Sequence, residues 1–423
     1  MKQNKPNKIK KLIHSIVKKN KTLRKLARSI KRKKEKLEYN KTTKKFTVDN
    51  NTVIFESYMG RSYACSPKSL YLEMKSNIKY IDYNFIWAFV GKEKYKHLED
   101  KRTKVIEYAS KEYYESYAVA KYWITNSRIP EGIEKKDGQI YVQCWHGTPF
   151  KRLGFDIKVE GLNALNSMEE LCDKYEYDAK KYDYLISPSK FCTEKFISCF
   201  NLKKLNKQGI IIEKGYPRND SLFKAIPNEI AEMKKNLGLP KNKKIVLYAP
   251  TWRDNQHTSG LGYTYKLGID FDEFKKKLGD EYIILFRAHY FISNSFDFKK
   301  YKGFVYNVSE YDDIADLYIL SDILVTDYSS VFFDFANLKK PIMFYMYDLN
   351  EYQNKMRDFY FSLEELPGPI IKTQKELEQA FVNIKKYGKI YNKSYNEFND
   401  KFNYLDGNDC SKKVLEEIIN DVN

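Results

Sequence analysis

From residue 50 onward, short apolar runs alternate with longer stretches whose apolar positions recur every three or four residues. The runs at 52–56, 84–90, 120–125, 139–144, 183–187 and 209–213 are rich in β-branched and aromatic residues and are predicted strands. A second series follows at 244–250, 281–287, 303–307, 322–326 and 341–345. Stretches with helical spacing separate most of them, among them 110–121, 190–200, 271–279, 310–321 and 330–338. Such alternation predicts parallel sheets covered by helices. The polar, proline-bearing stretch 238–243 divides the two series. The chain is therefore expected to be α/β, with two doubly wound, Rossmann-like domains at 50–235 and 240–395 and a helical tail at 396–423. Ligand sites in such sheets lie at the carboxyl ends of strands, here expected in the cleft between the domains.

Residues 1–45 follow a different pattern. Ile9, Leu12, Ile13, Ile16, Leu23, Leu26, Ala27, Ile30 and Leu37 form one helical stripe, and Lys and Arg fill most of the rest. The segment holds 19 Lys or Arg and two acids, Glu35 and Glu38. Nearly all of the chain's net charge of +19 therefore sits in this arm, and the body is close to neutral. A basic helix with a narrow apolar face is expected to lie on an anionic membrane. A coiled-coil helix packed on a partner and a nucleic-acid-binding arm are the competing readings; the near-neutral body argues against nucleic acid. No apolar run reaches the roughly 18 residues of a membrane-spanning helix, and the dispersed lysines do not resemble a signal peptide. Six scattered cysteines without a Cys-x-x-Cys pair fit a reducing cytoplasm.

The candidate chemistry falls at strand ends. His146 follows the strand before it in Gln143-Cys144-Trp145-His146-Gly147-Thr148-Pro149, and His289 ends Arg287-Ala288-His289. A neutral imidazole there could take a proton from a hydroxyl near pH 7, whereas the plain alternative is a histidine bonded to loop carbonyls. The strand 322–326 runs into Asp327-Tyr328-Ser329-Ser330 and then a helical stretch. Serines at a helix start either cap its backbone or, with the free N–H groups, hold an anion. Arg218 in Gly215-Tyr216-Pro217-Arg218-Asn219-Asp220, Arg253 in Tyr248-Ala249-Pro250-Thr251-Trp252-Arg253 and Arg287 all follow strands expected to face one cleft. Arginine forks suit phosphate oxygens, so these three with Asp327, Ser329 and Ser330 are candidates for a diphosphate site. Gly147, Thr148 and Thr251 are candidates for supporting loops. There is no Walker A sequence and no Gly-x-Gly-x-x-Gly after a strand. Asp312 and Asp313 open a helical stretch rather than standing in an acidic cluster, so no metal is expected.

Taken together and in this order, the five motifs around His146, Arg218, Arg253, His289 and Ser329-Ser330 resemble those of the CDP-glycerol glycerophosphotransferase family, which includes teichoic-acid primases and polymerases and related capsule polymerases. The resemblance covers roughly residues 140–395 and none of its motifs is evident in 1–140. It implies a two-domain fold of the glycosyltransferase B type and peripheral attachment to the cytoplasmic face of the cell membrane. The implied reaction transfers a polyol phosphate from CDP-glycerol or CDP-ribitol to a hydroxyl of a lipid-linked acceptor, releases CMP and requires no cofactor. By that likeness His146 is the general base, and His289 stabilises the transferring phosphate or the leaving CMP. Arg253, Ser329, Ser330 and Asp327 frame the diphosphate or its ribose side, and Arg218 is carried over with them. The competing functions are a nucleotide-sugar glycosyltransferase of the same architecture and a non-catalytic membrane scaffold for anionic polymer. Donor identity, primase or polymerase action and homo-oligomerisation are left open by the residues.

Overall fold

A computed structural model describes residues 21–158, 167–251, 257–258, 262–263, 268–288, 296–355 and 358–420. The expected strands, joined by two that the pattern does not predict (Thr103–Glu107 and Ile370–Ile371), form two wholly parallel sheets. The first contains β1 (Asp49–Glu56), β2 (Asn84–Phe89), β3 (Thr103–Glu107), β4 (Ala120–Thr125), β5 (Ile140–Gln143), β6 (Tyr184–Ser187) and β7 (Ile211–Glu213), in the order β3-β2-β1-β4-β5-β6-β7. The second contains β8 (Lys244–Ala249), β9 (Tyr282–Phe286), β10 (Val305–Asn307), β11 (Ile323–Thr326), β12 (Ile342–Tyr345) and β13 (Ile370–Ile371), in the order β10-β9-β8-β11-β12-β13. A short antiparallel pair, His257–Thr258 with Gly262–Tyr263, stands apart.

Both sheets are buried on both faces, which is why their strands read as continuous apolar runs. Along β8, Ile245, Leu247 and Ala249 enter one core while Val246 and Tyr248 enter the other. Along β1, Val53 and Phe55 face one core and Ile54 the opposite one. Strand order reverses direction at β1/β4 and again at β8/β11. Each reversal leaves a crevice at the carboxyl edge, because the crossover connections on its two sides run opposite ways.

Between the sheets, the helix Pro227–Asn236 packs Ile230 and Met233 against the second core, although the expected boundary at 235 assigns it to the first domain. Two helices close the molecule: one at Asn392–Phe402 and one at Cys410–Asn420. The second of these returns to the first sheet and buries Val414, Leu415, Ile418 and Ile419 against Val53, Phe55, Leu70 and Tyr71. A buried polar junction lies where the units meet. Arg218 donates through Nη2 to Asp334 Oδ1 at 2.8 Å, and Asn219 donates to Asp334 at 3.1 Å and to Asp406 at 2.7 Å. Asn337 also donates to Asp406, at 2.9 Å.

Residues 1–20 of the basic arm lie outside the described residues. The rest of it forms α1 (Lys21–Thr43). The helix docks by its arginine face, not its apolar one. Arg24 and Arg28 pair with Glu170 at 3.0 and 3.6 Å, and Arg32 pairs with Glu131 at 2.7 Å and Asp173 at 2.8 Å. Arg32 also lies 4.2 Å from the Tyr177 ring centroid. Tyr39 enters the first core, and a Cβ on Gly132 would stand 2.6 Å from that of Glu35, so the helix rests directly on that loop. The stripe is left in solvent: Leu26 is 56% exposed, Ile30 59% and Leu37 69%. No helix among the described residues is long and apolar enough to cross a membrane.

Candidate active site

The carboxyl edges of the two sheets face each other across a cavity of about 920 Å³. His146, Gly147, Thr148, Arg218, Thr251, Arg287, Ser329 and Ser330 all line it, so residues scattered over nearly two hundred positions meet in one place. Arg253 and His289 lie outside the described residues.

His146 stands in the turn that follows β5. Trp145 before it has φ of 52°, a left-handed conformation that strains a bulky residue. The strain is held locally: the Trp145 N–H donates to Gln143 Oε1 at 2.8 Å. The imidazole stacks on the Trp145 ring, centroids 4.5 Å apart. Its Nδ1 is 2.9 Å from the carbonyl oxygen of Asn126, just past the end of β4. A carbonyl only accepts, so Nδ1 carries the proton and Nε2 is left with its lone pair. The ring is open to the cavity, but the cavity is deep. Desolvation there lowers the imidazole below its ordinary value of 6.5, Arg218 and Arg128 push it the same way, and the Asn126 contact opposes them. His146 is thus held neutral near pH 7.

Gly147 is required by a close approach. A Cβ there would lie 2.6 Å from Ser330 Oγ, so the first unit's loop touches the second unit's serine pair directly. Ser330 precedes a short helix, Val331–Ala336, and its side chain makes no capping bond, so the hydroxyl is not spent on the helix as simple capping predicts. Asp327 does not line the cavity. It is buried beneath it, where Oδ1 accepts from the backbone N–H of Thr251 at 2.8 Å and of Tyr328 at 2.6 Å. Those bonds join the ends of β8 and β11 at the second crevice, so its place is to hold the loops that carry Thr251 and Ser329.

The two described arginines differ. Arg287 reaches back to donate through Nη1 to the carbonyls of Val308 and Tyr311 at 3.1 and 2.6 Å, which fixes its guanidinium in the cavity wall. Burial lowers its pKa, opposed by nearby groups that include Asp312 and Asp313, and it stays charged. Arg218 lines the same cavity but is buried and neutralised by Asp334, over the Tyr216 ring at 4.0 Å. Its charge is therefore largely committed to the junction between the units, a partnership that sequence spacing could not show because Asp334 lies 116 residues away.

Sequence reasoning missed the loop after β1. Tyr58 and Cys65 line the cavity with φ of 50° and 64°, as strained as Trp145. Arg61 and Lys94 add cations to the first unit's side, and Lys94 reaches Asp312 across the cleft at 2.7 Å. Asp313, the cap of the helix Ile314–Leu320, likewise accepts from Lys68 at 2.8 Å. These pairs tether one wall of the cavity to the other. Among the described residues no group of three or more His, Cys, Asp or Glu could hold a metal ion.

This arrangement can be set beside known proteins. The model of the family described as CDP-Glycerol:Poly(glycerophosphate) glycerophosphotransferase matches residues 38–420, so the likeness begins far upstream of the first motif at His146. A teichoic acid poly(glycerol phosphate) polymerase of Bacillus spizizenii is 41% identical over 87% of this chain and 91% of its own length. A teichoic acid glycerol-phosphate transferase of Staphylococcus aureus is 36% identical over 88% of this chain and 93% of its own. A solved structure of the wall teichoic acid polymerase TagF, a histidine variant soaked with CDPG, superposes with a TM-score of 0.83 at 36% identity over 96% of this chain and 98% of that one. The chain belongs to the CDP-glycerol:poly(glycerophosphate) glycerophosphotransferase family.

Proposed function

We propose that His146 is the general base of a polyol phosphate transfer in teichoic-acid synthesis, with CDP-glycerol as the donor and a hydroxyl of a lipid-linked acceptor as the nucleophile. The observation that carries this is the tautomer. Nδ1 is pinned to Asn126 O, so the basic Nε2 belongs to a ring that lines the cavity. The acceptor oxygen attacks the phosphorus that bears the polyol, the bond from that phosphorus to CMP breaks, and CMP leaves with the electron pair. The acceptor's proton passes to Nε2. A positioned base contributes about 10²–10⁴ in rate, and oriented cations and N–H groups the greater share. We assign the donor's diphosphate to Arg287, Ser329, Ser330 and Thr251, which line the cavity, with Asp327 holding the last three in register. Arg253 and His289 keep the roles that the resemblance implies, Arg253 on the diphosphate or its ribose side and His289 on the transferring phosphate or the leaving CMP. The unit at 50–235 is the acceptor side and that at 240–395 the donor side.

The exposed stripe of α1 is the surface we assign to the inner membrane leaflet. Its arginines are already bound to the body, while Leu26, Ile30 and Leu37 and the neighbouring lysines face outward. Lys31 and Lys34 remain largely exposed. Cations close to an anionic surface contribute about 1 kcal/mol each, and the apolar side chains fix the helix in the headgroup layer.

Incubation with labelled CDP-glycerol, CDP-ribitol and UDP-sugars tests the donor. Turnover of CDP-glycerol with release of CMP is expected, and turnover of UDP-sugars alone would end the reading. His146→Ala is expected to lose transfer by about 10²–10⁴ while still binding donor.

A further inference from the structure

We propose that Gln143 is a positioning residue for His146, buckling together the two strand-end loops that set the imidazole's place. Gln143 is the last residue of β5 and is fully buried. Its side chain makes contacts on both sides. Oε1 accepts the Trp145 N–H at 2.8 Å. Nε2 donates to Ser127 O and to the Tyr141 hydroxyl, each at 3.2 Å. Ser127 follows Asn126, whose own carbonyl receives His146 Nδ1. One amide thus joins the turn that carries the histidine to the loop that orients it.

The position calls for such a group. Trp145 sits at φ of 52°, and its N–H turns to the Gln143 side chain rather than to a neighbouring strand. Buried N–H groups left unmet are costly, and a strained backbone persists only where its surroundings over-determine it. The Gln143 carbonyl meets that N–H. Its amide nitrogen is in turn held by a closed polar set: Tyr141 OH lies 3.2 Å from Thr125 Oγ1, which donates to Ser127 O at 2.8 Å. With the orientation of the amide fixed at both ends, oxygen toward Trp145 and nitrogen toward Ser127, the turn has one arrangement. The Trp145 indole on which the imidazole stacks is part of it.

The inference rests on reading His146 as the base. It follows that loss of the Gln143 amide should act on the chemical step rather than on donor binding, since Gln143 does not line the cavity and the diphosphate groups lie on the other sheet. It should also move the acid limb of the rate profile. Desolvation in the cavity, Arg218 and Arg128 hold the imidazole below 6.5 against the raising contact with Asn126 O, and a ring loosened from the cavity wall gains water and returns upward.

Gln143→Met keeps the side-chain length and removes every polar contact. The expected result with CDP-glycerol is a fall in kcat of about a hundredfold, the cost of roughly an ångström's misplacement, with KM for the donor little changed. The acid limb of kcat/KM should move to higher pH. A methionine variant that melts cooperatively with wild-type kcat and an unmoved limb would overturn the inference. If that variant does not fold, Tyr141→Phe decides, because it removes only one of the amide's two acceptors. A fall in kcat of about fivefold, one hydrogen bond's worth, with the limb displaced upward is then expected, and an unchanged kcat and limb would overturn it. His146→Ala is measured beside them. Retained transfer there would remove the base reading itself, whereas lost transfer there with a wild-type Gln143→Met removes only the role of Gln143.

Discussion

The imidazole of His146 must be neutral to accept a proton, so kcat/KM is expected to fall as pH drops through a value below 6.5, because desolvation in the cavity and two arginines disfavour the protonated ring. A limb above 7 would contradict that environment. Gly147→Ala should slow transfer by about a hundredfold, since the new methyl group needs the space of Ser330 Oγ and must push apart the two walls that have to meet around substrate. Arg218→Leu is expected to cost about 3–5 kcal/mol in stability, read by chemical denaturation, because it leaves Asp334 buried without a countercharge, with only the Asn219 amide donating to it. Glu56 behaves oppositely. It is buried at the end of β1, Oε2 accepts from Tyr113 and Tyr117, and Oε1 has no partner among the described residues. Burial raises its pKa from 4.5 to about 7. Between those values the folded protein keeps a proton that the unfolded chain has released, so stability falls as pH rises through this window. Glu56→Gln should therefore raise Tm at pH 8.5 and leave it nearly unchanged at pH 5. At this scale the sequence was most legible where chemistry follows a strand directly, as for His146, Ser329 and Arg287. It was least legible where a partner comes from far along the chain. Nothing near Arg218 announces Asp334, and nothing near His146 announces Asn126.

Among the elements, strands buried on both faces declared themselves, because a short, continuous apolar run bounded by polar turns suits a central strand better than a surface helix. β3 did not, since Thr103 and Lys104 dilute its pattern, and β13 has only two residues. The helix at 330–338 proved shorter, Val331–Ala336, because the chain turns at Asn337 to feed the buried junction with Asp406. In α1 the periodicity was legible but its orientation was not. Arginines and lysines look alike to a charge count, yet the arginines dock in partly buried ion pairs, whereas the lysines stay largely exposed even where Lys25 and Lys36 reach Glu169 and Glu134 of the body. That division suits their chemistry: the planar guanidinium binds carboxylates in pairs at an interface, as Arg32 does with Glu131, whereas the ammonium keeps its water. Replacing Leu26, Ile30 and Leu37 together by Ser should abolish flotation with anionic liposomes without altering Tm. Flotation equal to the parent would place the membrane contact elsewhere. Flotation with neutral vesicles as strong as with anionic ones would remove the lysines from the account.

For the whole molecule, the site exists only because two sheets present their carboxyl edges to each other. Lys68 and Lys94 tie to Asp313 and Asp312 at one rim, and Arg152 reaches Asp358 at 2.6 Å at another. Deleting residues 410–420 is expected to abolish cooperative melting. Val414, Leu415, Ile418 and Ile419 are each worth about 1.5–3 kcal/mol of burial, together comparable with the whole stability of a domain. The same helix sets a constraint on biosynthesis. Val53, Phe55 and Tyr71 leave the ribosome early, but the surface that covers them is encoded more than three hundred residues later. Residues 49–213 must therefore wait, with an apolar face open, while the second sheet is translated and folded. That interval, rather than the finished protein, is when this chain is most exposed to aggregation and most in need of a chaperone.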